Sequence, residues 1–284
     1  MRTPYVCKPQ TLTATQIKNG GLLLKACDEF GIKNKFLQDA ILIVAFKESG
    51  FTAKVEDCYN TTPNYRIRYI FGKRVEMFTD AQLNELKKDC VKFFDQVYGS
   101  KWDRLFKFKT ENDNPGDGFK YRGRAFNGVT FKVQYRNLGK KLGVDLVAKP
   151  ELLEQPEWSA KAAALYFSEV FKNYDAIIKQ KFGVSAKDVK NLDTAVKMIY
   201  NINAGLKFDI NNLIANDVTD GWKITQCAVK NKVNEQVRKG SGSGGGNTEN
   251  KNIIVPLLAG VFFLAVINRK WIKKNLPKNL KKFL

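Results

Sequence analysis

Ala40-Ile-Leu-Ile-Val-Ala-Phe46 is apolar on every side and runs directly into Lys47-Glu48-Ser49-Gly50-Phe51. A helix hydrophobic all round has no face for water, so it reads as the central, buried helix of a helical fold. The pattern predicts a helix over 36–48, and Gly50 is a natural stop because it takes the left-handed cap without steric cost. Glu48 therefore sits at the carbonyl end of a buried helix. The helix dipole and the loss of solvent both oppose its ionised form there, which predicts a carboxyl able to keep a proton near neutral pH and to act as a general acid.

Outward from that helix, further helices are expected over 12–30, over 79–98 behind the capping pattern Thr79-Asp-Ala-Gln82, and over 129–142, 156–174, 193–202 and 219–238. A short β-hairpin is expected near 58–66 or 119–126. There is no strand–helix alternation and no internal repeat, which argues against a doubly wound sheet. The fold class is mainly α.

Composition removes whole classes of chemistry. The 284 residues contain no histidine, which excludes Ser-His-Asp and Cys-His nucleophile systems and histidine metal sites. The five cysteines are widely spaced with no CxxC pair, so they are expected to be mostly reduced and buried, and neither a metal nor a cofactor is expected. The net charge of +20 suits a polyanion: nucleic acid, anionic lipid or an acidic cell wall. No nucleic-acid-binding motif accompanies the charge, so nucleic acid is not the expected partner. Residues 1–13 hold no apolar core of a cleavable signal.

The expected domains are 1–239 as one globular domain, 240–252 as a Gly/Ser-rich linker, 253–268 as a transmembrane helix and 269–284 as a basic membrane-proximal tail. Gly240-Ser-Gly-Ser-Gly-Gly-Gly246 reads as a flexible tether. Ile253–Ile267 carries no charge; its fifteen residues fall short of the roughly 20 that span a bilayer, and flanking Lys251, Arg269 and Lys270 can snorkel to close the gap. The tail has seven basic residues and no acid, interleaved with Trp271, Ile272, Leu276, Leu280, Phe283 and Leu284, a mixture suited to anionic lipid. The positive-inside rule places that tail on the cytoplasm-like side and the large domain opposite.

Eight residues beyond Glu48, Glu56 stands in the polar run Val55-Glu56-Asp57-Cys58-Tyr59-Asn60-Thr61-Thr62, where it is expected to stay ionised. One protonated and one ionised carboxyl are what glycoside cleavage requires, and a separation of about 6.5–9.5 Å would leave room for an inverting water. Asp57 is the rival for the second role.

These residues carry a resemblance. Ile43-Val-Ala-Phe-Lys-Glu48-Ser-Gly-Phe51 resembles the catalytic-helix motif of glycoside hydrolase family 19, which contains chitinases and many phage endolysins. Glu56-Asp-Cys-Tyr-Asn60 and Tyr69-Ile-Phe-Gly-Lys-Arg74 stand where that family has its following loop and helix end. Gly118-Phe-Lys-Tyr-Arg-Gly-Arg-Ala-Phe-Asn-Gly-Val-Thr130 resembles the family's F-x-G-R-G-x-x-Q-L-T segment. Leu142-Gly-Val-Asp-Leu146, Trp158–Phe167 and Ile202-Asn-Ala-Gly205 follow in the family's order. The resemblance spans residues 15–225. It implies a lysozyme-like, two-lobed helical fold that hydrolyses β-1,4 bonds of N-acetylated amino sugars with inversion. It implies Glu48 as general acid, Glu56 as general base, and Thr130, Asn203, Asn127, Tyr121 and Arg122 as substrate-binding residues. The sequence departs from the family at Gly128, which replaces a sugar-binding Gln, at Ala204 and at Lys47.

Together these features lead to the expectation of a membrane-anchored, peptidoglycan-degrading enzyme of endolysin type. It would be fixed to the internal membrane of a phage particle or to the host inner membrane. The alternatives are a chitinase, a lytic transglycosylase, since Glu48-Ser-Gly-Phe51 also resembles that group's E-S-x-F motif, and a non-catalytic wall-binding virion protein.

Overall fold

A computed structural model describes residues 6–204, 211 and 221–242. Predicted features at 243–284, including most of the tether, the apolar run and the basic tail, lie outside the described residues, as does Gly205. Among the described residues the chain is mainly helical, and no helix is long and apolar enough to cross a membrane. The expected hairpin is not found: in this part of the chain only Arg124 and Val129 carry an isolated bridge, and both expected positions are instead turns and short helices.

The described residues form two compact units. One comprises the chain up to Val55, Arg124–Gly128 and the described residues from Glu151 onward; the other comprises Glu56–Gly123 and Val129–Pro150.

The first unit is built on α1 (Ala14–Glu29) and α2 (Lys35–Ser49). Thr13 and Gln16 close a capping box on α1, each side chain satisfying the other's backbone N–H. Every residue from Leu37 to Phe46 of α2 is buried, as the all-round apolar pattern requires. Each large apolar side chain so enclosed contributes about 1.5–3 kcal/mol. Gly50 caps α2 at φ 60°, and Phe51 follows at φ 58°. A phenylalanine in the left-handed region carries strain of about 1 kcal/mol or more. It is held there by ring packing on Phe46 and Phe126 and by Asn19 Nδ2, which donates to the Phe51 carbonyl at 2.9 Å.

Four further helices belong to this unit's second half among the described residues. Pro156–Phe182 is kinked at Tyr174 (φ −131°), the residue at which the apolar pattern predicts its end. Leu192–Asn203 packs on α2. The helix expected over 219–238 is two, Gly221–Lys230 and Val233–Gly242, broken at Lys232 with φ 53°. The second of these ends at Gly242, so the first glycines of the expected tether are helical. A Cβ on Gly240 would lie 2.4 Å from Ile17 Cγ2, so its lack of a side chain permits close packing on α1. Arg238 ties this last helix to α2 through Asp39 Oδ1 (2.6 Å) and Gln38 Oε1 (3.0 Å).

The second unit contains α3 (Asn64–Phe71), α4 (Asp80–Lys88), α5 (Cys90–Tyr98) and α8 (Lys132–Leu142), with the short helices α6 (Asp103–Phe106) and α7 (Asp117–Lys120) between them. The single helix expected over 79–98 breaks at Asp89, whose side chain caps α5 by accepting from Lys92 N–H. The core is aromatic. Tyr59, Phe71, Phe93, Phe94 and Tyr98 pack with centroid separations of 5.1–6.1 Å. Arg74 is buried among them, donating to the carbonyls of Phe71 and Val97. Burial lowers the Arg74 guanidinium from its ordinary value.

The expectation of reduced cysteines is overturned. Cys7 pairs with Cys227 and Cys58 with Cys90, at Cα separations of 5.4 and 5.6 Å. The partners are 220 and 32 residues apart, and spacing of that kind carries no pairing information. Cys27 alone is free; it is buried, and burial pushes its thiol up to about 12, which leaves it inert.

Candidate functional site

In the first unit, Glu48 lies in the last turn of α2 with its side chain 6% exposed. The burial is as expected, and the carboxyl is paired. Lys47 Nζ, itself 7% exposed, donates to Glu48 Oε1 at 2.9 Å, and Asn203 Nδ2 donates to the same oxygen at 3.2 Å. The ammonium favours the carboxylate, against the helix dipole and the loss of solvent expected to favour its protonated form. The Lys47 ammonium also lies 5.3 Å from the Tyr200 ring centroid. A Cβ on Gly221 would come within 3.0 Å of both Lys47 Nζ and the Tyr200 hydroxyl, so a glycine is what allows the helix to approach this pair.

Asn203 ends its helix 1% exposed. Its Nδ2 is spent on Glu48, while its Oδ1 is buried and has no partner among the described residues. Asn127 is likewise 1% exposed, and neither of its amide atoms has a partner there. It follows Phe126, whose ring packs on Phe51 just beyond the end of α2. Buried amides left unmet cost about 1–3 kcal/mol each, which calls for an explanation such as a ligand that completes them. Gly128 stands at φ 69°, a left-handed position that favours glycine.

In the second unit, Glu56 is partly exposed and firmly held. Its N–H donates to the Gly123 carbonyl at 2.7 Å, and Gly123 N–H donates back to Glu56 Oε2 at 3.1 Å. The Tyr59 hydroxyl donates to Oε1 at 2.7 Å, and the Tyr98 hydroxyl reaches both oxygens at 3.0 and 3.1 Å. Desolvation pushes the carboxyl up from its ordinary value, against the opposing pull of these donors and of the Arg74 charge. The surroundings are hydroxyl-rich, as expected, but the hydroxyls belong to buried rings, and desolvation opposes the ionised form. Burial pushes both tyrosines well up, so they remain protonated donors.

A Cβ on Gly123 would meet Glu56 Oε2 at 3.1 Å and Thr130 Oγ1 at 3.6 Å, so both side chains flank Gly123. Arg122 acts as a strut: its Nε donates to the Glu56 carbonyl at 2.9 Å, and its guanidinium lies 3.8 Å from the Phe119 ring centroid. Tyr121 is a core residue, 1% exposed, with its hydroxyl donating to the Val147 carbonyl and its ring packed on Tyr135. It offers no open face to a substrate.

Sequence reasoning missed Tyr98, Arg74 and Tyr200 as neighbours of the two carboxyls, because nothing local links them to Glu56 or Glu48. Tyr59 was within reach: it lies three residues from Glu56 in a run already singled out. Among the described residues no group of His, Cys, Asp and Glu could hold a metal ion. Compared with known proteins, the chain matches no family model and no curated sequence. The likeness to family 19 therefore rests on the motifs quoted above.

Proposed function

We propose that the protein is a glycoside hydrolase acting on β-1,4-linked N-acetylated amino sugars, with Glu48 and Glu56 as its two carboxyls and peptidoglycan as its polymer. The observation that carries the reading is the pairing of Glu48 with Asn203. A carboxyl at the buried end of α2 meets a buried amide whose oxygen is still open to a ligand donor. An acetamido group offers both a donor and an acceptor, which is what amides such as Asn203 and Asn127 can complement. The overall positive charge favours the acidic wall polymer over neutral chitin. A lipid anchor at 253–268, with the basic tail against anionic headgroups, belongs to the same reading and would hold the enzyme at a phage or host inner membrane.

In this reading Glu48 protonates the leaving oxygen and Glu56 activates water. A proton on Glu48 removes the charge that Lys47 Nζ pairs with, so loading the acid weakens that ion pair. The decisive experiment is a digest of purified sacculi and of chitin oligomers by the full chain, with product analysis. Reducing sugars from sacculi, lost in Glu48→Gln, support the reading; no product from either polymer overturns it.

One observation favours a second reading, a lytic transglycosylase using Glu48 alone. At least three of the roughly four acceptor positions on the Glu56 carboxylate are taken by Tyr59, Tyr98 and Gly123, which leaves little to orient a water. Anhydro-muramyl ends, with activity kept in Glu56→Gln, would select it.

A further inference from the structure

Cys58 is exposed, lies two residues after Glu56, and precedes Tyr59, whose hydroxyl holds Glu56 Oε1. Its disulfide partner, Cys90, is the first residue of α5, and Tyr98, the last residue of the same helix, holds both Glu56 oxygens. The bridge thus joins the two elements whose hydroxyls clamp Glu56. We infer that the Cys58–Cys90 disulfide is a positioning device for the Glu56 carboxyl, so that the function of Glu56 depends on the oxidation state of this pair. The inference rests on the proposed catalytic role of Glu56 for its activity readout, but not for its structural one.

The chemistry is ordinary thiol exchange. A dithiol such as dithiothreitol attacks one sulfur of the bridge, the S–S bond breaks, and two protein thiols form as the reagent closes to its cyclic disulfide. Two electrons pass from reagent to protein, and no other reactant is needed. Once released, the 56–59 segment loses its covalent tie to α5 and keeps the Tyr59 ring against Phe93 and Phe94 and the Tyr98 hydroxyl contacts to Glu56. A displacement of about 1 Å at a catalytic group costs on the order of a hundredfold in rate.

The test uses the full chain, oxidised and after dithiothreitol, with thiols counted by mass spectrometry. Amide hydrogen exchange is read at Glu56 and Gly123, whose N–H groups bond each other's residue, and the rate is read on sacculi. Faster exchange at these two amides, a rate lower by on the order of ten- to a hundredfold, recovery on reoxidation, and the same behaviour in Cys58→Ser/Cys90→Ser are expected. Cys7→Ser/Cys227→Ser, in the other unit, should not reproduce it. Two free thiols at 58 and 90 with unchanged exchange overturn the inference. Exchange raised throughout the second unit also overturns it, since the bridge is then only a general staple. If the oxidised protein cleaves no polymer, the catalytic reading fails, and the exchange measurement decides the inference by itself.

Discussion

Lys47 Nζ stands 2.9 Å from Glu48 Oε1, with both side chains more than nine-tenths buried at the end of α2. Removing one partner of such a buried pair is costly, typically about 3–5 kcal/mol. If Glu48 is the acid, activity is lost as pH rises and its proton leaves. Lys47→Met removes the charge that favours the carboxylate, so the alkaline limb of the kcat/KM profile should move to higher pH. Lys47→Arg should keep it near the original position. An unmoved limb in Lys47→Met would remove Glu48 from the acid role.

Glu56→Gln should have opposite effects on activity and on the pH dependence of stability. An unfolded glutamate titrates near 4.5, and folding raises Glu56 above that. Its contribution to stability is therefore fully present below about 4.5 and is lost as pH rises through the folded value. The melting temperature should fall across that window in the parent protein and fall less in Glu56→Gln. Turnover, measured on sacculi, should drop on the order of 10²–10⁴-fold if Glu56 is the base.

Gly123→Ala places a methyl 3.1 Å from Glu56 Oε2. The Glu56 side chain must shift, and overpacking of this kind costs about 1–3 kcal/mol. A fall in kcat with unchanged KM and a modest loss in melting temperature are expected.

Asn127→Ala removes two buried polar atoms that have no partner among the described residues. Stability should rise or stay level, because the desolvation cost of about 1–3 kcal/mol disappears with the amide. KM should rise if the amide serves the substrate. A clear loss of stability, read by thermal melting, would show that Asn127 is instead a framework residue.

The central helix was legible because its signal is local: an unbroken apolar run, then Gly50. Expected over 36–48, it forms over Lys35–Ser49. The α1 and Leu192–Asn203 helices were legible for the same reason. Helix breaks were not, because they depend on single residues adopting unexpected conformations, Asp89 extended and Lys232 left-handed. The surroundings of the carboxyls were least legible. Glu48 lies beside its own sequence neighbour, Lys47, yet whether that lysine turns inward depends on Tyr200 and Gly221. Glu56 stands in a polar run that favours ionisation, but its hydroxyl partners come from buried rings, Tyr59 and Tyr98, the latter 42 residues away.

Leu12 N–H donates to Gln236 Oε1, Gln236 Nε2 donates to the Gln10 carbonyl, and Cys7 is bonded to Cys227. During synthesis, the earliest residues of the first unit must therefore wait for nearly the last of the described ones to leave the ribosome. The second unit, whose own segments emerge well before that, has the opportunity to fold while α1 and α2 still lack their cover. Long-range closure of this kind is slow and exposes apolar helices to aggregation. A chain interrupted before residue 233 would carry a finished second unit and an open, sticky first one.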